Sequence, residues 1–431
     1  MGGCAAGRRR GILLQPNVGE ELRRSLIPLI VSLAILLPVS LSKASGGPAD
    51  TTQGAARERP DPYVVAAGDI ACGDPTLDYE PDHEPFVRTP KYCHEDVTAA
   101  MFAPGGRLAG PGLRAVLPLG DLQYEFGGAR EGFENEYTYE NPECSIVPGF
   151  ENGPCSFHES WAKAASVWSD YGLPPVPIKP TPGNHEYQEE EGRCELTGVE
   201  ADGDPFNACG YNDYWGDRTA VPTRAQRGDG GGSYYFRFDV RKPHPILFVS
   251  LNTGPCAEVN AMCAPGSRLL RFLRSVLSSP DLNPPESCTV VYYHHPAWDW
   301  YLHGDLDYVH PIWKAMLDPD IRRSQRPDLV LNGHNHLYER YEPLDANGEA
   351  DTDEPAIPQI TVGTGGKNAG WTPSELPRPR TGPPAAADID NFGLEKVSWS
   401  PQAGTIDAAF YREGDPEPFD PVIYRCNGAS L

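Results

Sequence analysis

The sequence is organised around the stretch Val330-Leu331-Asn332-Gly333-His334-Asn335-His336, a short apolar run followed by glycine and two histidines one residue apart. The apolar run, residues 328–331, is too short for a helix and ends at a turn residue, so it predicts a buried strand. Gly333 lets the backbone turn sharply where that strand ends. Both imidazoles would then lie at the carboxyl end of a strand, where open α/β sheets bind ligands. A His-x-His pair also occurs by chance in loops, so its meaning depends on the rest of the chain.

Four other apolar runs end in polar groups of the same kind. Residues 63–67, 115–119 and 289–293 predict strands, and residues 175–178 form a proline-rich run. The polar residues that follow these runs are Asp69, Asp121 with Tyr124, Asn184 with His185, and His294. The combination indicates a dinuclear metal site, because two cations about 3.5–4 Å apart need a bridging anion and Asp121 can supply one. Mixed oxygen and nitrogen ligands favour iron, zinc or manganese over calcium or magnesium.

The remaining pattern predicts an α/β fold with a mixed sheet arrangement. We expect helices at residues 158–171, 268–277 and 308–317, strands at 233–240, 246–251 and 360–363, and a closing hairpin over 397–411. These helices are too few for a doubly wound sheet with a helix after every strand. Residues 188–232 are rich in Gly, Asp and Glu and too long for a simple connection, so we expect them to shape a site.

The N-terminal segment predicts export. Five arginines precede the apolar run 26–41, which small residues follow, so residues 1–44 have the order of an export signal. Arg23-Arg24 also resembles the twin-arginine pattern. Residues 45–61 would be a linker and residues 62–431 a single domain, secreted or periplasmic. The alternative is an uncleaved membrane anchor through residues 26–41, although that run is short and interrupted by proline.

The net charge restricts the class of ligand that the protein can bind, and the cysteine content indicates the redox compartment in which it acts. Without residues 1–44 the chain has 30 basic and 58 acidic residues, a net charge of −28, which disfavours binding to nucleic-acid polymers. A small anionic substrate is compatible with this charge if bound metal reverses the local field. Ten cysteines remain, without a CxxC motif, and predict disulfides in an oxidising compartment. The pairing that we expect is 72–93, 144–155, 194–209, 256–263 and 288–426.

Five short blocks carry a resemblance to a known family. They are Asp69-Ile70-Ala71, Gly120-Asp121-x-x-Tyr124, Gly183-Asn184-His185-Glu186, Val291-x-x-His294 and Gly333-His334-x-His336. In this order they resemble the signature blocks of the calcineurin-like metallophosphoesterases, and Tyr124 is typical of the purple acid phosphatase branch. The stretch 361–366 is similar to secreted bacterial members.

The resemblance implies a four-layer α/β/β/α sandwich of two mixed sheets flanked by helices. It also implies a role for each matching residue. Asp69, Tyr124 and His336 would bind a first metal ion, Fe(III). Asn184, His294 and His334 would bind a second, divalent ion (Zn, Mn or Fe), and Asp121 would bridge the two. His185 and His303 would face the substrate phosphate.

Two positions depart from the family pattern. Ala71 stands where plant and animal enzymes have glycine, which affects local backbone freedom and not a ligand. The fibronectin-like N-terminal domain of the large plant enzymes has no room in the about 25 residues between the export signal and Asp69.

Several of these residues have simpler structural interpretations. Tyr124 could be a packed tyrosine, Asn184 a turn residue and His303 an exposed loop residue. His294 and His295 are adjacent, so on a strand they would point to opposite faces, which leaves His295 as a packed or supporting residue. The other histidines, at positions 83, 94, 158, 244 and 310, have no partner pattern and are expected to be structural or on the surface.

The predicted function is hydrolysis of phosphate monoesters by hydroxide generated at the two metals. No Gly-x-Ser-x-Gly motif is present and the cysteines are assigned to disulfides, so a covalent intermediate is not expected. A phosphodiesterase or nucleotidase acting with the same metal centre is one alternative. A non-catalytic secreted binding protein, in which the metals only hold loops together, is the other.

Overall fold

The computed structural model describes residues 60–71, 94–124, 156–187, 211, 214–215, 232–256, 260–301, 303–350, 354–367 and 381–426. All of them belong to one compact unit, Glu58–Leu431. The proposed export signal, residues 1–44, lies outside the described residues, as do nearly all of the linker and most of the excursion 188–232. The division at residue 62 therefore stays a prediction.

The first of two mixed sheets has five strands in the order β12-β11-β10-β1-β2. These strands are β1 (Tyr63–Ala67), β2 (Leu113–Pro118), β10 (Gly393–Ser400), β11 (Thr405–Arg412) and β12 (Phe419–Arg425). Only β1 and β2 run parallel, with Val65 opposite Val116, and the other pairs are antiparallel. The hairpin β10–β11 confirms the hairpin expected over residues 397–411.

The second sheet has seven strands in the order β3-β4-β5-β6-β8-β7-β9. They are β3 (Tyr234–Phe238), β4 (Ile246–Ser250), β5 (Cys288–Tyr292), β6 (Leu329–Asn332), β7 (Tyr338–Arg340), β8 (Gln359–Val362) and β9 (Ala386–Asp388). Strands β4, β5, β6 and β8 run parallel and form the centre of the sheet. The polar residues that follow these strands therefore lie at the same end of the sheet, as the sequence predicts for the residues that follow β5 and β6.

Helices are few and short. They are α1 (Glu95–Phe102), α2 (Lys163–Ser166), α3 (Arg268–Leu277) and α4 (His310–Met316). A π turn, His158–Ala162, precedes α2 and a 3-10 turn, Val167–Tyr171, follows it, so the helical segment expected at residues 158–171 is present. Further 3-10 turns are His185–Tyr187, Gly254–Cys256, Asn260–Met262 and Arg323–Gln325. None of the helices in the described ranges is long and apolar enough to cross a bilayer.

Two apolar clusters form the core. Side chains alternate between them along β4, where Leu247 and Val249 belong to one cluster while Ile246 and Phe248 belong to the other. The first two pack with α3 and α4, and the second two face the first sheet, where α1 and the 158–171 segment also pack. The structure therefore confirms the α/β class, with two mixed sheets and few helices.

Several elements differ from the sequence prediction. The run 175–178 contributes only one isolated bridge, between Ile178 and Val116, because its prolines lack the N–H that a ladder requires. Helix α1 and strands β7, β9 and β12 were not predicted; β7 and β9 have three residues each, too few to show a period of two. Of the five expected disulfides, Cys256–Cys263 and Cys288–Cys426 are confirmed, and the other three lie outside the described residues.

Candidate metal centre

The site lies where neighbouring strands of the two sheets end. Asp69 follows β1, Asp121 follows β2, and His294 and His334 follow β5 and β6. Backbone bonds hold the turns together, because the N–H of Asp69 donates to the Gly120 carbonyl (3.0 Å) and the N–H of Gly333 donates to the His294 carbonyl (2.9 Å). The N–H of Gly68 donates to Val362 of the second sheet at 2.8 Å, so the strand ends of both sheets converge on one region.

Three site residues have a backbone conformation that L-residues rarely adopt. The φ angles of Asp69, Asp121 and His334 are 59°, 48° and 76°. Each costs of order 1–2 kcal/mol, so surrounding contacts must hold these turns. Gly120, with φ 93°, permits a close approach, because a Cβ built there would lie 2.5 Å from His294 Nδ1.

A first group of donor atoms surrounds the hydroxyl of Tyr124. This hydroxyl lies 2.7 Å from Asp69 Oδ1, 3.0 Å from Asp121 Oδ2 and 3.0 Å from His336 Nε2. His336 Nε2 is 3.3 Å from Asp69 Oδ1. We call Asp69, Asp121, Tyr124 and His336 the first donor group.

A second group surrounds Nε2 of His294. This nitrogen lies 2.9 Å from Asp121 Oδ2, 3.1 Å from Asn184 Oδ1 and 3.2 Å from His334 Nδ1. We call Asp121, Asn184, His294 and His334 the second donor group. Asp121 Oδ2 belongs to both groups, and it is the atom that joins them.

The donor atoms suit two metal ions. Donors bound to one ion at about 2.0–2.2 Å are separated by roughly 3.0–3.5 Å, close to the spacings within each group. His294 Nδ1 lies 2.9 Å from the Leu119 carbonyl, and an N–H donated there leaves the lone pair on Nε2, among the other donors. His336 Nδ1 is buried without a hydrogen-bond partner among the described residues. The chemistry and the spacing of both groups therefore fit metal binding.

The electrostatics are those of an anion surrounded by imidazoles. Burial by itself would raise the pKa of Asp121, but His294 and His185 outweigh it and hold this pKa well below its usual range. Burial opposes a charged His294, yet Asp121 raises its pKa to about 9. Burial, followed by the charges of Asp121 and Asp69, raises the pKa of Tyr124 well above 10.0. A metal ion among these atoms would replace the positive charge that Asp121 favours on His294 and the proton that the two carboxylates favour on Tyr124.

The two histidines expected to face substrate flank the donor groups. The ring of His185 lies 4.2 Å from that of Tyr124, and its backbone N–H donates to Asp121 Oδ1 at 2.9 Å. His303 is exposed, and its ring lies 4.5 Å from that of His334. The loop that carries His303 is held by the buried carboxylate of Asp299, which accepts the backbone N–H groups of Tyr301, His303 and Gly304. Each histidine thus lies beside a different donor group.

Glu186 supports the site, a role that the sequence did not reveal. Its buried carboxylate accepts the backbone N–H groups of Asp121 (2.9 Å), Leu122 (2.7 Å) and Gly183 (2.6 Å). Burial, and then the charge of Asp121, raises its pKa to about 8, while these N–H donors act in the opposite direction. The side chain therefore ties the turn after β2 to the turn that carries Asn184 and His185.

His295 was expected to point away from His294 and to be a packed or supporting residue. It is packed, since its side chain is fully buried, but it does not point away from His294. Strand β5 ends at Tyr292, so the alternation of a strand no longer applies to these two residues. The rings of His294 and His295 lie 4.8 Å apart, and the ring of His295 is 4.5 Å from that of His334.

Lys367, which no sequence signal indicated, is buried with its ammonium 4.7 Å from the Tyr124 ring centroid.

The other described histidines lie outside the two donor groups, as expected. His94 pairs with Glu413 at 2.6 Å, and His158 lies 2.9 Å from the Tyr214 hydroxyl. His244 contacts the Glu286 carbonyl, and His310 stacks on Trp298. His83 lies outside the described residues.

Comparison with family models and with curated proteins found no match. Among solved structures, the chain is similar to a purple acid phosphatase, PPD1, from yellow lupin (Lupinus luteus), with 15% identity and a TM-score of 0.44 over 84% of this chain and 53% of that one. The chain thus spans about half the length of the lupin protein. It is also similar to PhoD (14% identity, TM-score 0.45, 86% of this chain and 70% of that one). A third similar structure is a dimetal phosphatase from Danio rerio (11% identity, TM-score 0.43, 85% of this chain and 100% of that one).

Proposed function

We propose that the protein is a dinuclear-metal phosphoesterase that hydrolyses small phosphate monoesters. The observation that carries the proposal is the position of Asp121 Oδ2, within 3.0 Å of Tyr124 in the first donor group and of His294 in the second. A carboxylate oxygen shared by two sets of oxygen and nitrogen donors is what a pair of cations requires.

Two ions held there would lower the pKa of bound water and stabilise the charge on the phosphoryl oxygens. Asp69, Tyr124 and His336 would hold one ion, Asn184 and His334 together with His294 would hold the other, and Asp121 would bridge them. The phenol oxygen of Tyr124 is a hard donor, so we propose Fe(III) for the first position and a divalent ion for the second. A tyrosinate-to-iron absorption band in the visible spectrum tests that assignment.

The residues of the chain have separate tasks in this mechanism. His185, beside the first donor group, would donate a proton to the leaving oxygen. His303, beside the second group on an exposed loop, would bind the phosphoryl oxygens. Asp121 holds the backbone of His185 through its Oδ1 atom, so the bridging residue and the proton donor are positioned together.

The test compares His185→Ala with His244→Ala, a histidine outside the donor groups. The proposal expects His185→Ala to lower the turnover of an aryl phosphate monoester by about 10²–10⁴-fold, with two ions still bound. The His244 variant should keep both turnover and metal. Loss of metal from His185→Ala would make His185 a ligand. A protein that binds two ions but hydrolyses neither monoester nor diester would refute the function, and a preference for the diester would make it a phosphodiesterase.

We also propose that the protein acts outside the cytoplasm. The support is the pair of disulfides, Cys256–Cys263 and Cys288–Cys426, since such bonds persist in oxidising compartments. Fractionation of cells that express the full chain tests this, and recovery in the cytosol would contradict it. Recovery in the membrane fraction would favour an anchor through residues 26–41.

A further inference from the structure

His295 is a buried histidine whose ring nitrogen Nε2 takes no part in the metal centre described above. The side chain is fully buried. Its Nδ1 lies 3.0 Å from the hydroxyl oxygen of Thr253, and that oxygen also accepts the His295 backbone N–H at 3.3 Å. Nε2 is buried and has no hydrogen-bond partner among the residues that the structure describes. A buried nitrogen left unpaired is destabilising, so its position calls for a bound group.

The surroundings of His295 indicate which group that would be. One ring nitrogen from each of His294, His295 and His334 lies within 4.8 Å of those of the other two. The ring of His334 is 4.5 Å from that of His295 and 5.0 Å from that of His294. Three neutral imidazoles gathered so closely can share one cation.

The hydrogen bond of His295 repeats the pattern of His294. Nδ1 of His294 faces the Leu119 carbonyl at 2.9 Å, which leaves its Nε2 lone pair in the second donor group. When Nδ1 of His295 donates to Thr253, the lone pair of His295 is likewise on Nε2. Histidines that bind metals commonly donate their other N–H to such a partner, which fixes the tautomer and the ring orientation.

We propose that His295 is a third imidazole ligand of the ion that His294 and His334 hold, and that Thr253 positions it. The inference rests on the proposed metal centre and extends it. A site with three imidazoles favours ions such as zinc, copper or nickel over manganese and magnesium, which prefer oxygen ligands. The second position would therefore favour zinc over manganese.

The test titrates zinc into the metal-free full-length protein in competition with a chromophoric chelator. His295→Phe keeps a flat ring of similar size and removes both nitrogens. His310→Phe is the matched control, because His310 is also a buried histidine but stacks on Trp298 away from the donor groups. We expect His295→Phe to weaken one zinc site by about 10–100-fold and to leave the other unchanged, while the control keeps both affinities.

X-ray absorption of the zinc-loaded proteins separates ligation from packing. A ligand role predicts one imidazole fewer per pair of ions in His295→Phe. Unchanged zinc affinity, or an unchanged number of imidazoles, would overturn the inference. If His295→Phe does not fold, Thr253→Val serves instead and should weaken the same site by about tenfold. Zinc binding that depends on His295 in a protein without phosphoesterase activity would refute the proposed function and leave this inference intact.

Discussion

Removing the carboxylate of Glu186 should destabilise the protein and disturb both metal positions. This carboxylate is completely buried and accepts three backbone N–H groups. Two of them belong to Asp121 and Leu122, on the turn that supplies the shared oxygen. In Glu186→Ala, the three N–H groups lose their acceptor at once.

The magnitude follows from counting these donors. A buried N–H left without a partner costs about 1–3 kcal/mol, so three would cost about 3–9 kcal/mol. Water entering the vacated space would pair some of them, so we expect about 3–6 kcal/mol. In Glu186→Gln, the remaining oxygen can keep the bonds from Asp121 and Gly183, because both donate to Oε2. Only the bond from Leu122 is then lost, which costs about 1–3 kcal/mol.

The assay is urea unfolding of the metal-free proteins at about pH 5, because bound ions would add their own stabilisation and because the raised pKa of Glu186 lowers the stability of the unmodified chain at higher pH. Glu342→Gln is the control, because Glu342 is an exposed partner of Arg340 and should change the free energy of unfolding by less than about 1 kcal/mol. The order of stability should be control, then Glu186→Gln, then Glu186→Ala. A Glu186→Ala protein within about 1 kcal/mol of the unmodified chain would refute the reasoning, as would equal losses in the two Glu186 variants.

Three further predictions concern the metals, a disulfide and pH. Asp121→Asn should weaken both metal sites by more than about tenfold because its Oδ2 atom is shared, whereas Asp69→Asn should weaken only one; metal analysis after dialysis distinguishes them. Replacing Cys288 and Cys426 by serine should lower the free energy of unfolding by up to about 5 kcal/mol, because the disulfide closes a loop of 138 residues. Burial, and then the charge of Asp420, raises the pKa of Glu395 in the folded protein well above 4.5. As pH rises, the unfolded chain therefore loses this proton before the folded protein does. The unmodified protein should therefore lose stability relative to Glu395→Gln from about pH 4.5 upward, by up to about 1.4 kcal/mol per pH unit, in urea unfolding at several pH values.

Each of these predictions has an outcome that contradicts it. Equal metal loss in Asp121→Asn and Asp69→Asn would argue against a shared oxygen. Replacing Cys256 and Cys263, which are only seven residues apart, should cost about half as much as the long-range pair, and the reverse order would contradict the loop-closure argument. A stability difference between Glu395→Gln and the unmodified chain that does not vary with pH would show that Glu395 keeps an ordinary pKa.

The sequence by itself indicated which side chains belong near the site. Each block combines a short apolar run with a turn and a polar residue, and these signals are local: they depend on the period of a strand and on glycine at its end. The strand β1 and the helix α3 have the predicted bounds for the same reason, since their burial patterns are uniform and strongly periodic. The sequence also predicted the α/β class, and two of the expected disulfide pairs are present.

Only the tertiary structure decided which atoms meet. Asp69 and His336 are far apart in the chain, and their contact depends on the order of strands in two sheets, which no local pattern encodes. The shared position of Asp121 Oδ2 and the three hydrogen bonds of Glu186 depend on turns with positive φ angles. The residue types at these turns do not predict such angles. His295 shows most directly what a local pattern does not predict, because side chains alternate between the two faces inside a strand but not beyond the residue where β5 ends. Residue types and local periodicity thus determined the candidates, and long-range backbone contacts determined their geometry.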